Sequence, residues 1–428
     1  MRGPLCRKMT LALSLIGALG LGYTARAAPE TLALDLRGAI KLARARSPTL
    51  APSRAAVAGA EEVRQAASTL LPTPPHLELQ TGPRFVALTR TVGVEATAVV
   101  WQDLSLGGYA GARRDLSRAM QSEARASVVV AERDAELRAA SAWIDARLAV
   151  ELMRIRQEML DEAEELLRLA TARVGSGRSE PGEEALARSL VGSARASLLE
   201  AEGRKVAALT ELRFSTGIAQ SRSIDPVGPI DARDAPLDEK SLLSDALSRH
   251  PSLELLTAEA RRRDSAAELS LASGRPFLSV GTLVTHEGTG DWIVEARAAL
   301  PLPFVNPAAV DAARLQAEAM TAHAEVTRMR ALLETELRIS LHEREHSREA
   351  RDVLREGAIA PAREALGLAE KQYAAGSVDL AVVIGAHRQL LDAEQRWAEA
   401  AASVKRADLR LAASLGRDLA DVTSEGAH

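Results

Sequence analysis

From Gly108 to Val174 the chain runs 67 residues without a proline, and from Ala308 to Ala375 it runs 68 with only Pro361 inside. Both stretches are dominated by helix formers, and at 1.5 Å per residue each predicts a helix about 100 Å long. No single globule needs such a rod. Aromatic residues are only 3% of the 428, which suits closely packed, small-residue rods better than a thick globular core.

The rods belong to a duplication. Leu34-Asp35 through Ser47-Pro48-Thr49-Leu50 is echoed by Leu237-Asp238 through His250-Pro251-Ser252-Leu253, at an offset of 203; later, Gly177 matches Gly376 and Gly217 matches Gly416 at an offset of 199. Each copy reads as a short helix, a longer helix, a β-rich patch, a very long helix, a glycine turn and a returning helix. The first repeat is expected over 28–220, with a β-hairpin at about 76–102 and a helical hairpin at about 108–217. A Pro- and Gly-bearing linker follows at 221–236. The second repeat is expected over 237–417, with a β-hairpin at about 277–301 and a helical hairpin at about 307–416, and a tail at 418–428.

Leu148, Leu152, Ile155, Met159, Ala163, Leu166, Ala170 and Val174 recur in steps of three and four. That is a helix packing along its length as in a coiled coil. The turn at Gly175-Ser176-Gly177 stops it, and Pro181 starts the returning helix. Gly376 and Asp379 do the same in the second copy. Glu180 and Asp379 both stand at helix starts, where an acid can cap free N–H groups and complement the dipole.

In the β-rich patches Trp292, Val294, Ala296, Ala298 and Leu300 alternate with Ile293, Glu295, Arg297 and Ala299, and Val92, Val94, Ala96, Ala98 and Val100 form the apolar face of the first copy. Strands of about nine to eleven residues with period-two alternation are what a transmembrane barrel requires. Four strands cannot close one, since the smallest bacterial barrels have about eight. Left open in lipid, their edges would be unsatisfied. The chain must pool strands with copies of itself or keep the hairpins in water.

Residues 1–27 read as a secretory leader: Arg2, Arg7 and Lys8, an apolar core from Met9 to Leu21, and Ala25-Arg26-Ala27 before the cleavage point. The single cysteine, Cys6, leaves with it, so the mature chain has no thiol chemistry. Without the leader 50 basic residues face 58 acidic ones, an excess that excludes nucleic acid as a partner class.

The residues resemble the TolC-type outer-membrane efflux proteins, and within them the CzcC-like heavy-metal branch. The resemblance rests on Leu34 to Ile40 followed by Ser47-Pro48, with Ser47 and His250 where the family usually has Asn. It rests also on Trp101 to Gly108, on Leu300-Pro301-Leu302-Pro303-Phe304-Val305-Asn306, and on Ala360 to Ala365 followed by Tyr373-Ala374-Ala375-Gly376. It implies a mainly α fold with a small β part: long helical hairpins form a periplasmic tunnel, and four strands per chain join a shared trimeric β-barrel in the outer membrane of a Gram-negative bacterium. It further implies a homotrimer, a periplasmic adaptor, an inner-membrane pump of the RND type, and metal cations as cargo, with no cofactor and no enzymatic activity.

Three groups of candidate site residues follow. Gly175, Gly177 and Gly376 mark the turns where the adaptor would dock, and the rival reading is that they only permit the turn. Glu180 and Asp379 would form a periplasmic constriction, against the rival reading as caps. Trp292, Val294, Ala296, Ala298 and Leu300 would face lipid. Two other functions remain open at this stage: a soluble periplasmic coiled-coil scaffold, and a zinc peptidase using His342-Glu343-Arg344-Glu345-His346. Against the peptidase, the helix carrying this motif continues unbroken and brings no clear third ligand. With eight histidines, seven methionines and no mature cysteine, no metal relay is visible.

Overall fold

Asp35 begins the first helix by accepting a hydrogen bond from Gly38 N at 2.8 Å, and the same logic of caps and glycine stops punctuates the whole chain. The computed structural model describes residues 31–69, 71, 73–87, 90–178, 180–231, 239–288, 290–302, 304, 308–416 and 419. The expected leader, most of the tail, residues 232–236 of the linker, and Pro303, Val305 and Asn306 lie outside them.

The order is β1 (Leu32–Leu34), α1 (Leu36–Arg46), α2 (Ala51–Ala67), β2 (His76–Val86), β3 (Thr91–Ser105), α3 (Tyr109–Gly175) and α4 (Pro181–Thr216). Then come β4 (Ile224–Pro226), α5 (Glu239–Arg249), α6 (Pro251–Ser273), β5 (Phe277–His286), β6 (Trp292–Ala299), α7 (Ala309–Leu354), α8 (Ala360–Ala374) and α9 (Leu380–Ser414). Gly107 and Gly108, with φ of 76° and 88°, turn β3 into α3, a backbone conformation that only glycine adopts freely. Between α7 and α8, Arg355–Ile359 is a π turn. The Pro361 ring would clash with the carbonyl four residues back in a regular helix. That carbonyl belongs to Gly357, inside the widened turn, so the rod continues past its proline.

Among the described residues two larger clusters and a smaller one around Leu242, Leu337 and Leu411 form the core. The first joins α3, α4, α8 and α9 through Ile155, Met159, Ala163, Leu166 and Ala170 of the periodic run, packed against Leu190, Leu366, Val383 and Leu390. The other large cluster surrounds Trp143, which is 1% exposed and donates to Leu34 O at 2.8 Å.

The linker is more ordered than a surface crossing. Ile224–Pro226 pairs in parallel with Leu32–Leu34, and beyond it the chain is strapped to three helices. Arg147 of α3 donates to Gly228 O at 2.9 Å, Lys405 of α9 to Pro229 O at 2.7 Å, and buried Arg351 of α7 to Asp231 at 2.7 Å. Short, isolated strands carry no period for a sequence to show.

Four strands form one antiparallel sheet in the order β2-β3-β5-β6. β2 runs from His76 through Pro83 to Val86, and an edge strand tolerates the proline. One expectation shifts here. Leu300 falls one residue beyond β6.

Candidate functional site

The sheet is the first half of the site. Direct cross-strand partners share a face, and the register sets Leu77, Leu79, Pro83 and Phe85 opposite Val100, Ala98, Val94 and Val92. Ala98 and Val100 then stand opposite Val284 and Thr282, and Val284, Thr282 and Val280 opposite Val294, Ala296 and Ala298. One face is therefore a continuous apolar band across all four strands. Its larger side chains are uncovered: Phe85 is 75% exposed, Trp292 69% and Val294 69%.

The other face carries the sheet's charges, around a small buried apolar pair of Val99 and Leu283. Arg84 reaches Glu287 at 2.6 Å and Glu95 at 3.6 Å, Thr97 meets Thr285 at 2.9 Å, Asp103 accepts from Ser279 and Arg297 pairs with Glu295 at 3.1 Å. Among the described residues β2 and β6 each pair on one side only, so both edges of the sheet are open.

The far ends of the helical hairpins are the second half. At the end of α3, Gly177 (φ 71°) donates to Val174 O at 3.0 Å and Arg178 to Arg173 O at 2.9 Å; at the end of α8, Gly376 (φ 78°) donates to Tyr373 O and Ser377 to Gln372 O, both at 2.9 Å. These are matching left-handed helix stops. Gly175 belongs to α3 itself and has no such φ, so it is not part of the turn's left-handed step. A Cβ on Gly177 or Gly376 would meet nothing within 4 Å, so both turns face open space.

Glu180 and Asp379 each occupy the N-cap position with extended backbone, yet neither side chain caps its helix. Of the two local roles for these acids, side-chain capping is not made, and complementing the helix dipole remains. Beside them the sequence reading missed a bridge: Tyr373 OH reaches Glu183 at 3.2 Å and Arg173 donates to Tyr373 O at 2.6 Å. The motif around Tyr373 was visible, but its partners lie on other helices.

His342 and His346 stack edge to face, with ring centres 4.2 Å apart. His346 Nδ1 lies 3.3 Å from Glu349, while Glu343 pairs with Arg410 at 2.8 Å. Among the described residues no group of three His, Cys, Asp or Glu side chains is placed to hold a metal. Among the described residues the peptidase constellation is not assembled: the two histidines have no third ligand, and Glu343 is paired with a neighbouring helix.

Residues 242–417 match the outer membrane efflux protein family. No curated protein sequence matches the chain. Among solved structures it is similar to the CmeC outer membrane channel of Campylobacter jejuni, at 15% identity over 89% of this chain and 85% of that one, with a TM-score of 0.74. It is similar to the outer membrane protein VceC of Vibrio cholerae, at 16% identity over 89% and 96% with a TM-score of 0.72. CusC, solved in a study of folding and transmembrane channel formation, matches at 15% identity over 93% and 96% with a TM-score of 0.70. At these identities the likeness is one of fold.

Proposed function

We propose that this chain, whose residues 242–417 match the outer membrane efflux protein family and whose fold is that of the TolC-type channels, is the outer-membrane channel of a tripartite efflux system. It is a conduit and not an enzyme. The observation that carries the reading is the sheet, with its uncovered apolar face, polar reverse and two open edges. Three copies supply twelve strands, which close a barrel with the band of Trp292, Val294, Ala296 and Ala298 toward lipid and the polar face toward the lumen. The ten residues of β5, at about 3.4 Å each and tilted by about 40°, rise about 25 Å, the height of an outer-membrane apolar band. In water alone, as a scaffold, the same face would stay unsatisfied.

The helices support the same homotrimer. α4 leaves Leu199, Val206 and Phe214 uncovered, and α7 leaves Leu332, Ile339 and Val353. Both stripes recur at close to heptad spacing, and each fits a neighbouring copy. The barrel then sits in the outer membrane and the helices cross the periplasm. The turns at Gly177 and Gly376, with Gly175 just before the first, would meet a periplasmic adaptor linked to an RND-type inner-membrane pump, which supplies the energy. The cargo is metal cations, a reading supported by the resemblance to the CzcC-like branch and by acids Glu78, Glu95, Asp103 and Glu295 on the polar face.

The test is fractionation followed by crosslinking and single-channel recording. Extraction from outer membranes only by detergent, a crosslinked trimer and a conducting pore are expected. Recovery in the soluble periplasm would remove the channel. For docking, replacing Gly177 and Gly376 by bulky residues should leave a folded trimer that no longer crosslinks to its adaptor. Normal crosslinking and normal resistance would reject that role.

A further inference from the structure

On α7 the exposed residues Leu332, Ile339, His346 and Val353 recur at steps of seven, and His342 and Glu349, also exposed, fall between them on the same stripe. A heptad stripe on the outside of a chain is a seam for another helix. Its middle breaks the apolar pattern with two imidazoles one turn apart, their ring centres 4.2 Å from each other. His346 Nδ1 lies 3.3 Å from Glu349. A carboxylate on one ring nitrogen leaves Nε2 for an ion, the arrangement that orients metal-bound histidines.

What covers the stripe follows from the duplication. The π turn at Arg355–Ile359 adds one residue to the second copy, so the offset of 199 at the glycine turns becomes 198 before it. At 198 the buried Leu333, Leu337 and Ser340 of α7 match the buried Ala135, Ala139 and Ala142 of α3. His342 and His346 then stand where the first copy has Ile144 and Leu148, which pack in one cluster with Ala401 and Ala402 of α9.

α9 is the counterpart of α4 at the offset of 199, which pairs Ala401 with Glu202. Within the chain α4 packs on α3, α3 on α9 and α9 on α7, so α4 and α7 are the outer members of the row. In a trimer the repeat relation lays α4 of the partner subunit against α7 as α9 lies against α3. Glu202, exposed on α4, comes opposite the two histidines.

We propose that His342 and His346, with Glu202 of the partner subunit, form a divalent transition-metal site that staples adjacent copies, Glu349 being the positioning residue behind His346. This rests on the trimer of the proposed function. Two imidazoles and a carboxylate are a zinc set, with water in the fourth position. One chain holds only part of it, in accord with the lack of a three-residue metal group among the described residues. The third ligand arrives on assembly, and the ion satisfies polar groups that the seam would otherwise bury among apolar neighbours.

The experiment uses the full-length trimer in detergent, stripped with a chelator and dialysed against zinc chloride alone. Wild type should bind one zinc per chain, and zinc should raise the temperature at which the trimer dissociates. His342→Ile with His346→Leu, the residues of the first copy, keeps the seam packed; it should lose both the stoichiometric zinc and the zinc-dependent shift. Glu202→Gln should bind more weakly and lose the shift, and Glu349→Gln should keep the stoichiometry with affinity lowered about tenfold. No stoichiometric zinc in wild type, or equal binding in the double variant, overturns the site. Full affinity in Glu202→Gln, or zinc bound without a shift, overturns the staple. A dissociation temperature that falls in the variants but ignores zinc makes the cluster an ordinary ion pair and overturns the proposal. A chain that never crosslinks as a trimer counts against the channel reading as well, whereas a trimer that binds no zinc counts against this site alone.

Discussion

Arg173, at the end of the first rod, lays its guanidinium 4.3 Å over the ring of Tyr373 at the end of the second. The same guanidinium donates to the Tyr373 carbonyl at 2.6 Å, and the Tyr373 hydroxyl reaches Glu183 of the returning helix at 3.2 Å. Three helices thus meet on one buried ring, 3% exposed.

This bridge predicts graded effects. Tyr373→Phe keeps the ring and loses the hydroxyl bond, a cost of about 1 kcal/mol. Tyr373→Ala also empties the site and should cost about 3–5 kcal/mol. If the bridge holds the hairpin ends together, conductance in planar bilayers should rise from wild type to Tyr373→Phe to Tyr373→Ala. A folded Tyr373→Ala trimer with wild-type conductance would deny the bridge any part in closing the pore.

The sheet predicts an asymmetry between neighbours. Val294 lies on the apolar band, whereas Ala299 lies on the face shared with Glu295 and Arg297. Arginine at Val294 should cost about 2–4 kcal/mol near the bilayer midplane and reduce the assembled trimer recovered from outer membranes. Arginine at Ala299 should leave assembly intact and alter conductance. Equal tolerance at the two positions would mean that the hairpin sits in water.

For Glu180 and Asp379 the structure removes the simplest local role, since neither side chain caps its helix. Glu180→Gln with Asp379→Asn should therefore change the thermal midpoint little. In a trimer six such carboxylates would surround the periplasmic end, and rings of acids favour cations. The double variant should shift the reversal potential in a salt gradient toward lower cation preference. Unchanged selectivity would sink the ring.

How much of this was legible follows from the range of each interaction. The rod from Tyr109 to Gly175, the glycine stops and the alternation of the strands are local patterns, written in periods of 3.6 and 2 and in backbone conformations only glycine adopts freely. What was not legible depends on partners far along the chain. Asp231 on Arg351 and Glu183 on Tyr373 join residues whose sequence neighbours look like ordinary charged helix surface. The open edges of β2 and β6 lie between: alternation announces the strands, but only the register shows that their apolar residues fall on one face.

His250 gives the last prediction, because it stands where the first repeat has Ser47 and only one of the two titrates near neutrality. Its Nδ1 accepts from Ser252 N at 3.2 Å to cap α6, and its Nε2 donates to Ala413 O at 3.2 Å. The bond from Ser252 N needs an unprotonated Nδ1 and the bond to Ala413 O needs a proton on Nε2, so the two together fix the neutral ring in that tautomer, and protonation breaks only the first. Burial, with some help from Arg133, pushes its pKa below 6.5 against the opposing pull of the Ala413 carbonyl. A depressed imidazole contributes stability that is fully present above 6.5 and is lost as pH falls through the folded value. The thermal midpoint of the wild type should therefore drop between pH 7.5 and pH 5. His250→Asn can still cap the helix, at a difference within about 1 kcal/mol, and has nothing to protonate. It should flatten that acid limb while keeping the midpoint at pH 7.5 close to wild type. An equally steep fall in His250→Asn would assign the acid sensitivity to another group and leave His250 as a cap alone.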